Sequence, residues 1–203
     1  MIPPGPVRVL VTGEMQGGKT QTCRAAAARL RELRWDVGGV LSPGVWLGNQ
    51  KVAIDALDLR TGHTRRLAER AGAGTPLAGP ATPGWRFDAE TIAWCNRLLA
   101  EASGCDLLVV DELGPLEFES GEGMTGGMRA VDGGRFRLGL VVVRPRLLPA
   151  ARQRWPGAEV LVVDGTAEIP GRVENLLELA RTLNPPRLQD REAGLRPSGK
   201  PKS

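Results

Sequence analysis

Eight consecutive residues, Gly13-Glu14-Met15-Gln16-Gly17-Gly18-Lys19-Thr20, have the types and spacing of a loop that cradles phosphate groups. Each part answers a physical need. Gly13 and Gly18 let the backbone turn tightly, and with Gly17 they keep side chains from between the amides and a phosphate. The amides of about Met15 to Thr20 then point inward as an anion nest. A helix opening near Lys19 aims its positive end at the same place. Lys19 would reach the β and γ phosphates of a nucleoside triphosphate such as ATP or GTP, and the Thr20 hydroxyl would bind Mg2+. The expected nucleotide-binding stretch is therefore Gly13, Glu14, Met15, Gln16, Gly17, Gly18, Lys19, Thr20 and the following Gln21. With 27 glycines in the chain, glycine matches alone say little. Lysine says more: Lys19, Lys51, Lys200 and Lys202 are the only four, and one stands where the pattern requires it.

A second set of residues complements the first. Leu107-Leu108-Val109-Val110 reads as a buried strand that delivers Asp111 and Glu112 at its end. Neighbouring side chains on a strand point opposite ways, so a bend at its end is needed to bring both acids to one site. Asp111 would hold the magnesium ion, through water, and Glu112 would orient and deprotonate an attacking water. A solvated Asp-Glu pair at a strand end is common, so the reading draws its strength from the phosphate loop in the same chain. Glu117 follows Gly114-Pro115 closely and is either a further polar contact at the site or the acidic start of a helix.

Phosphoryl transfer also gains from an arginine that neutralises developing charge. Arg144, after the apolar run Leu138–Val143, is the candidate, because ligands of open α/β sheets bind at the carboxyl ends of the strands. Arg60, Arg65, Arg66 and Arg86 could fold over a nucleotide, although solvated loop arginines are the simpler reading of each. His63 is read as structural or exposed, and Trp46 and Trp85 as packing groups. Cys23 is expected to face out of the first helix without a role.

Strands must position these groups, and the chain supplies them. Val7–Thr12 is a strand that stops at Gly13, and Lys19 to about Arg34 is a helix with Ala26, Leu30 and Leu33 at helical spacing. Val37–Leu41 is a second strand. Residues 43–70 break into short strand-like pieces around Gly48-Asn49 and Thr61-Gly62, the pattern of an inserted antiparallel hairpin or meander. Residues 71–87 are rich in alanine, glycine and proline and are expected to form a flexible loop. Asp88 can cap a helix to about Ser103. Arg137–Val143 and Glu159–Val163 are strands, Leu147–Trp155 a weak helix and Pro170–Leu183 a clear one. Alternating strands and helices predict an α/β domain over residues 1–183, with a mostly parallel sheet flanked by helices. Residues 184–203 are proline-rich and charged and predict a disordered tail.

The bulk numbers narrow the function class. The net charge of +4 belongs mainly to the tail, whose five basic and two acidic residues give +3. The body carries no large basic field, so nucleic acid is not the expected partner. Three cysteines, Cys23, Cys95 and Cys105, have no metal-binding spacing, and reduced thiols in a cytoplasm are the expected state. No apolar run approaches a membrane span, and the start of the chain has no secretory pattern. A protein partner cannot be named from these residues.

Three blocks together resemble the THEP-type nucleoside-triphosphatases, called cancer-related nucleoside-triphosphatases in animals. They are the GEMQGGKT loop, the stretch GGVLSPGVWLGNQKVAIDALDL leading to Arg60-Thr61-Gly62, and the VVDELGPLE block. The resemblance runs from about Val7 to Leu183. It implies a RecA-like P-loop domain with a β-hairpin insertion and slow, Mg2+-dependent hydrolysis of ATP and other nucleoside triphosphates. Lys19, Thr20, Asp111 and Glu112 carry over directly. In the family's loop a proline often precedes the final glycines, where this chain has Gln16-Gly17. A nucleoside or nucleotide kinase on the same scaffold, and a nucleotide-binding switch without turnover, are the alternative functions.

Overall fold

The structure, a computed structural model, describes residues 5–72 and 77–183. Strand β1 (Val7–Thr12) leads through the glycine-rich loop into helix α1 (Lys19–Glu32). Strand β2 (Val37–Leu41) is followed by five more strands: β3 (Gly44–Leu47), β4 (Gln50–Asp58), β5 (Thr64–Arg70), β6 (Ala81–Thr82) and β7 (Trp85–Phe87). Helix α2 (Ala89–Glu101) starts at Asp88, whose carboxylate accepts the Thr91 N–H at 2.8 Å, the cap that the sequence predicts. Then come β8 (Leu107–Leu113), a one-turn π-helix (Leu116–Ser120), α3 (Thr125–Gly133), β9 (Leu138–Val143), α4 (Leu148–Arg154), β10 (Glu159–Val162) and α5 (Ile169–Thr182).

The ten strands of the described residues join one sheet, in the order β10-β1-β9-β8-β2-β4-β5-β7-β6, with β3 on β4. The pairings among β10, β1, β9, β8 and β2 are parallel. From β2 outward every pairing is antiparallel. The sheet is therefore mixed, and the expectation of a mostly parallel sheet is corrected. The cause is the placement of residues 43–70. Their strands pair antiparallel with one another, but they do not stand apart: β4 continues the ladder of β2 through Val40↔Asp58 and Leu41↔Leu57. Part of the expected loop, residues 71–87, is also ordered strand, since β6 and β7 form a hairpin on β5. The Trp85-Arg86-Phe87 run favours a strand, but the surrounding glycine and proline mask it. The expected tail, residues 184–203, lies outside the described residues.

Alternation along the central strands explains their unbroken apolar sequence. Leu107 and Val109 pack with Ala26, Leu30 and Leu177 on one face of the sheet. Leu108 and Val110 pack with Leu99 and Val131 on the other. Each such side chain, fully withdrawn from water, contributes about 2 kcal/mol, and both faces of β8 are covered by helices. At Gly39 the backbones of β2 and β8 come so close that an added Cβ would lie 2.0 Å from the Val109 carbonyl oxygen, and its φ of 112° also demands glycine. This close approach sets Ser42, just past the end of β2, against Asp111.

Candidate active site

The loop between β1 and α1 is shaped by contact with the segment after β10. A Cβ added at Gly13 would sit 2.1 Å from the Val163 carbonyl oxygen, and one at Gly17 would sit 2.6 Å from it. Gly18 caps α1 at a φ of 96°. Gln16 holds a φ of 66°, a left-handed conformation that costs an ordinary residue about 1 kcal/mol and that proline cannot adopt. Glu14, Met15 and Gln16 are exposed, and Gly17 to Thr20 are half-buried. The Lys19 ammonium turns back into its own loop and donates to the carbonyl oxygens of Gly13 (2.7 Å) and Glu14 (2.8 Å). Gln21 lies on the exposed side of the first turn of α1. Beneath the loop, the buried Thr12 hydroxyl has no hydrogen-bond partner among the described residues.

The two acids sit opposite the end of this loop. The register of β8 against β9 shifts between Val110 and Leu113, so Asp111 and Glu112 fall in an irregular stretch of the strand. Their shared peptide bond is cis. Asp111 is buried, and the Thr20 hydroxyl lies beside its carboxyl group and favours its charged form. The Ser42 N–H donates to Asp111 Oδ2 at 3.0 Å, and the Ser42 hydroxyl donates to the Asp111 carbonyl oxygen. Glu112 is half-buried and accepts from Arg144 Nε at 2.5 Å, a bond that ties the end of β8 to the end of β9.

Burial pushes the Asp111 carboxyl from 3.8 up to about 6. The Glu112 charge adds to the rise, while the Ser42 N–H, the Thr20 hydroxyl and Lys51 oppose it. Between those two values the folded chain holds more protons than the unfolded one. Stability of the chelator-treated protein is therefore expected to fall as pH rises from about 4 to about 6, by roughly 3 kcal/mol in all. Asp111→Asn has no such charge to bury and should flatten that slope. Urea unfolding of both proteins at about pH 4 and about pH 7 measures the difference; parallel curves would refute it.

These groups fit a magnesium ion. Mg2+ takes oxygen ligands, keeps several waters and asks a protein for only one or two groups beside substrate phosphates. Thr20 and Asp111 are such a pair. No cluster of three His, Cys, Asp or Glu among the described residues could hold a metal by itself. The buried Asp111 carboxylate is also where a cation would offset the cost of desolvation.

Lys51 is the site residue that sequence reasoning missed. It extends from β4, and its ammonium lies 5.5 Å from the centre of the Trp85 ring, a cation–π contact. Among the described residues it has no hydrogen bond or ion pair. Burial lowers its pKa, the charges of Glu112 and Asp111 raise it, and Arg144 and Lys19 lower it again. It thus shares one electrostatic site with the predicted residues. Its signal in the sequence was rarity, since four lysines stand against 23 arginines.

Glu117 takes the second of the two places foreseen for it, the acidic start of a helical turn. It lies in the π-helical turn, and its carboxylate accepts from the N–H groups of Gly114 and Met124, both at 2.7 Å. Burial pushes its pKa up, against those two bonds. It clamps the segment after the acids from within.

Other candidates are placed elsewhere. Cys23 does not face outward but is fully buried, packed between α1 and the sheet, and burial raises its pKa well above the usual thiol value. Cys95 and Cys105 are also buried free thiols, each pushed up to about 12 by burial. Arg60 pairs with Asp36, Arg66 with Asp55 and Glu69, and Arg65 lies over the Trp94 ring. His63 meets the edge of that same ring. No helix among the described residues is long and apolar enough to cross a membrane.

Comparison with known proteins agrees with this geometry. A family model described as NTPase matches residues 8–164. Nucleoside-triphosphatase THEP1 of Pyrococcus abyssi is 32% identical over 117 residues, 57% of this chain and 63% of that protein. The chain thus spans under two thirds of that relative's length. Nucleoside-triphosphatase THEP1 of Methanosarcina acetivorans is 28% identical over 172 residues, 83% of this chain and 95% of that protein. The crystal structure of THEP1 from Aquifex aeolicus superposes with a TM-score of 0.65 at 16% identity, covering 86% of this chain and 99% of its own. A human cancer-related nucleoside triphosphatase superposes with a TM-score of 0.62 at 16% identity, covering 90% of this chain and 100% of its own. These two structures share the α/β sheet with flanking helices. With the phosphate loop, the paired acids and a family model spanning most of the sequence in agreement, the chain belongs to the NTPase family.

Proposed function

We propose that the chain binds a nucleoside triphosphate with Mg2+ across residues 13–21 and Asp111, and hydrolyses it to the diphosphate and phosphate with Glu112 as the base. One observation carries this reading. The Thr20 hydroxyl lies beside the Asp111 carboxyl, so the end of the loop and the first acid face one another. The name nucleoside-triphosphatase borne by the relatives supports it. On this reading β3 to β7 are an insertion into a parallel P-loop core of RecA type, and the buried free thiols suit a reducing cytoplasm.

When bound, Mg2+ neutralises phosphate charge and orients the triphosphate; Thr20 and Asp111 would hold it. Lys19 exchanges its two carbonyl partners for phosphate oxygens, because charge-assisted bonds to an anion are the stronger ones. The loop amides and the amino end of α1 bind the remaining phosphate oxygens. Glu112 accepts the proton of the attacking water as the new oxygen–phosphorus bond forms, and the bridging bond to the diphosphate breaks with its electron pair. Arg144 begins on Glu112, within reach of the terminal phosphate, and Lys51 adds a cation beside it.

Phosphate release from ATP, GTP, CTP and UTP, with Mg2+ or with chelator, tests the proposal. Mg2+-dependent release from at least one is expected, and none from any would overturn it. Arg144→Ala should lower kcat by about tenfold to a hundredfold with a smaller change in KM, the pattern of an interaction made mainly in the transition state. Steady-state release checks this, and an unchanged kcat would remove Arg144 from the mechanism.

A further inference from the structure

A cavity of about 250 Å³ opens beside Glu112. None of residues 13–21 lines it, so it is distinct from the phosphate cradle, yet Glu112, Lys51 and Arg144 all do. Its walls mix apolar side chains with polar ones, Ser42, Thr82, Glu117 and Arg146 among the latter. Ile54 and Leu67 come from β4 and β5, Phe87 and Ile92 from the entry to α2, and Leu116 and Met124 from the segment that Glu117 clamps. A water nucleophile requires none of this: a water needs about one probe sphere of space and two to four polar partners. A chamber that combines apolar walls with a few polar groups is the form of a small-molecule site, and its volume lies below the range of about 300–1,000 Å³ typical of drug-sized ligands. The Lys51 ammonium, without a hydrogen bond or ion pair among the described residues, is the group such a ligand's anionic substituent would meet.

We propose that this cavity is a phosphoryl-acceptor site for a small alcohol or phenol with an apolar ring or chain and an anionic or strongly polar substituent. The inference rests on the reading that Glu112 faces the terminal phosphate. The apolar body occupies the space between Ile54, Leu67, Phe87 and Ile92, and the polar substituent meets Lys51. The acceptor hydroxyl stands where water otherwise would. Its oxygen forms a bond to the γ-phosphorus, its proton passes to the Glu112 carboxylate, and the bridging bond breaks with the electron pair leaving on the nucleoside diphosphate. The products are a phosphate monoester and the diphosphate, and hydrolysis is the same displacement with the cavity empty of acceptor.

The test uses the full chain with ATP, Mg2+ and three probes, 4-hydroxybenzoate, 4-hydroxyphenylacetate and thymidine. Saturation-transfer NMR reads probe binding, and phosphorus NMR reads phosphate ester against free phosphate. At least one probe should bind saturably at millimolar concentration and yield ester. Ile92→Trp and Thr82→Trp, each of which puts an indole into the chamber from its wall, should each lower the ester-to-phosphate ratio by about tenfold or more. Retained affinity for ATP shows that each variant is folded. No saturable binding of any probe, or a ratio that neither substitution alters, overturns the inference. Free phosphate without ester from a bound probe overturns the acceptor assignment and leaves hydrolysis standing. Ester with no free phosphate in any condition overturns hydrolysis and leaves the acceptor site standing.

Discussion

Lys19→Ala is expected to weaken binding of Mg2+–ATP by about a hundredfold or more, measured by isothermal titration. The lysine is the only cation on the loop, and its ammonium already lies within it, on the carbonyl oxygens of Gly13 and Glu14. A charge-assisted contact to a phosphate is among the strongest polar interactions a side chain makes, and about 3 kcal/mol corresponds to roughly two powers of ten in affinity. The side chain is only half-buried, so its removal leaves the core packing of α1 intact. An unchanged circular dichroism spectrum would show this. Undiminished affinity would mean that the triphosphate does not lie in the loop.

Glu112→Gln separates binding from chemistry. Glutamine can still accept the Arg144 hydrogen bond, so the end of β8 keeps its partner. It cannot take a proton from water. Phosphate release is expected to fall by a factor of about 10²–10⁴, the usual contribution of a general base, while affinity for ATP changes by only a fewfold. If Glu112→Gln releases phosphate at the wild-type rate, the base lies elsewhere, and Glu117, which lines the same cavity, is then the next carboxylate to examine.

The features legible in the sequence are those set by neighbours along the chain. The phosphate loop depends on glycines and a lysine within eight residues. The Asp88 cap needs only the amide of Thr91, and the strands around β8 announce themselves by apolar runs buried on both faces. The family resemblance rests on such local blocks, and the match over residues 8–164 bears it out.

What escaped depends on partners far apart in sequence. Lys51 joins the site because β4 pairs with β2 and carries its side chain in beside β8, and no local pattern encodes that pairing. Ser42 has meaning only beside Asp111, 69 positions away. The mixed sheet follows from the same β2–β4 ladder, since the short pieces of residues 43–70 show that they are strands but not where they dock. Cys23 was misplaced because an alanine- and arginine-rich helix has a weak apolar stripe, and α5 covers part of the surface that a lone amphipathic helix would leave open. Arg144 directly follows β9, and its bond to Glu112 cannot be read from either residue alone.

The most direct test is a crystal structure of the chain with Mg2+ and a non-hydrolysable ATP analogue. The account predicts the β and γ phosphates on Lys19 and the loop amides, the metal between Thr20 and Asp111, and Glu112 facing the γ-phosphorus. Phosphates bound away from Gly13–Thr20, or a metal that touches neither Thr20 nor Asp111 directly or through water, would contradict it.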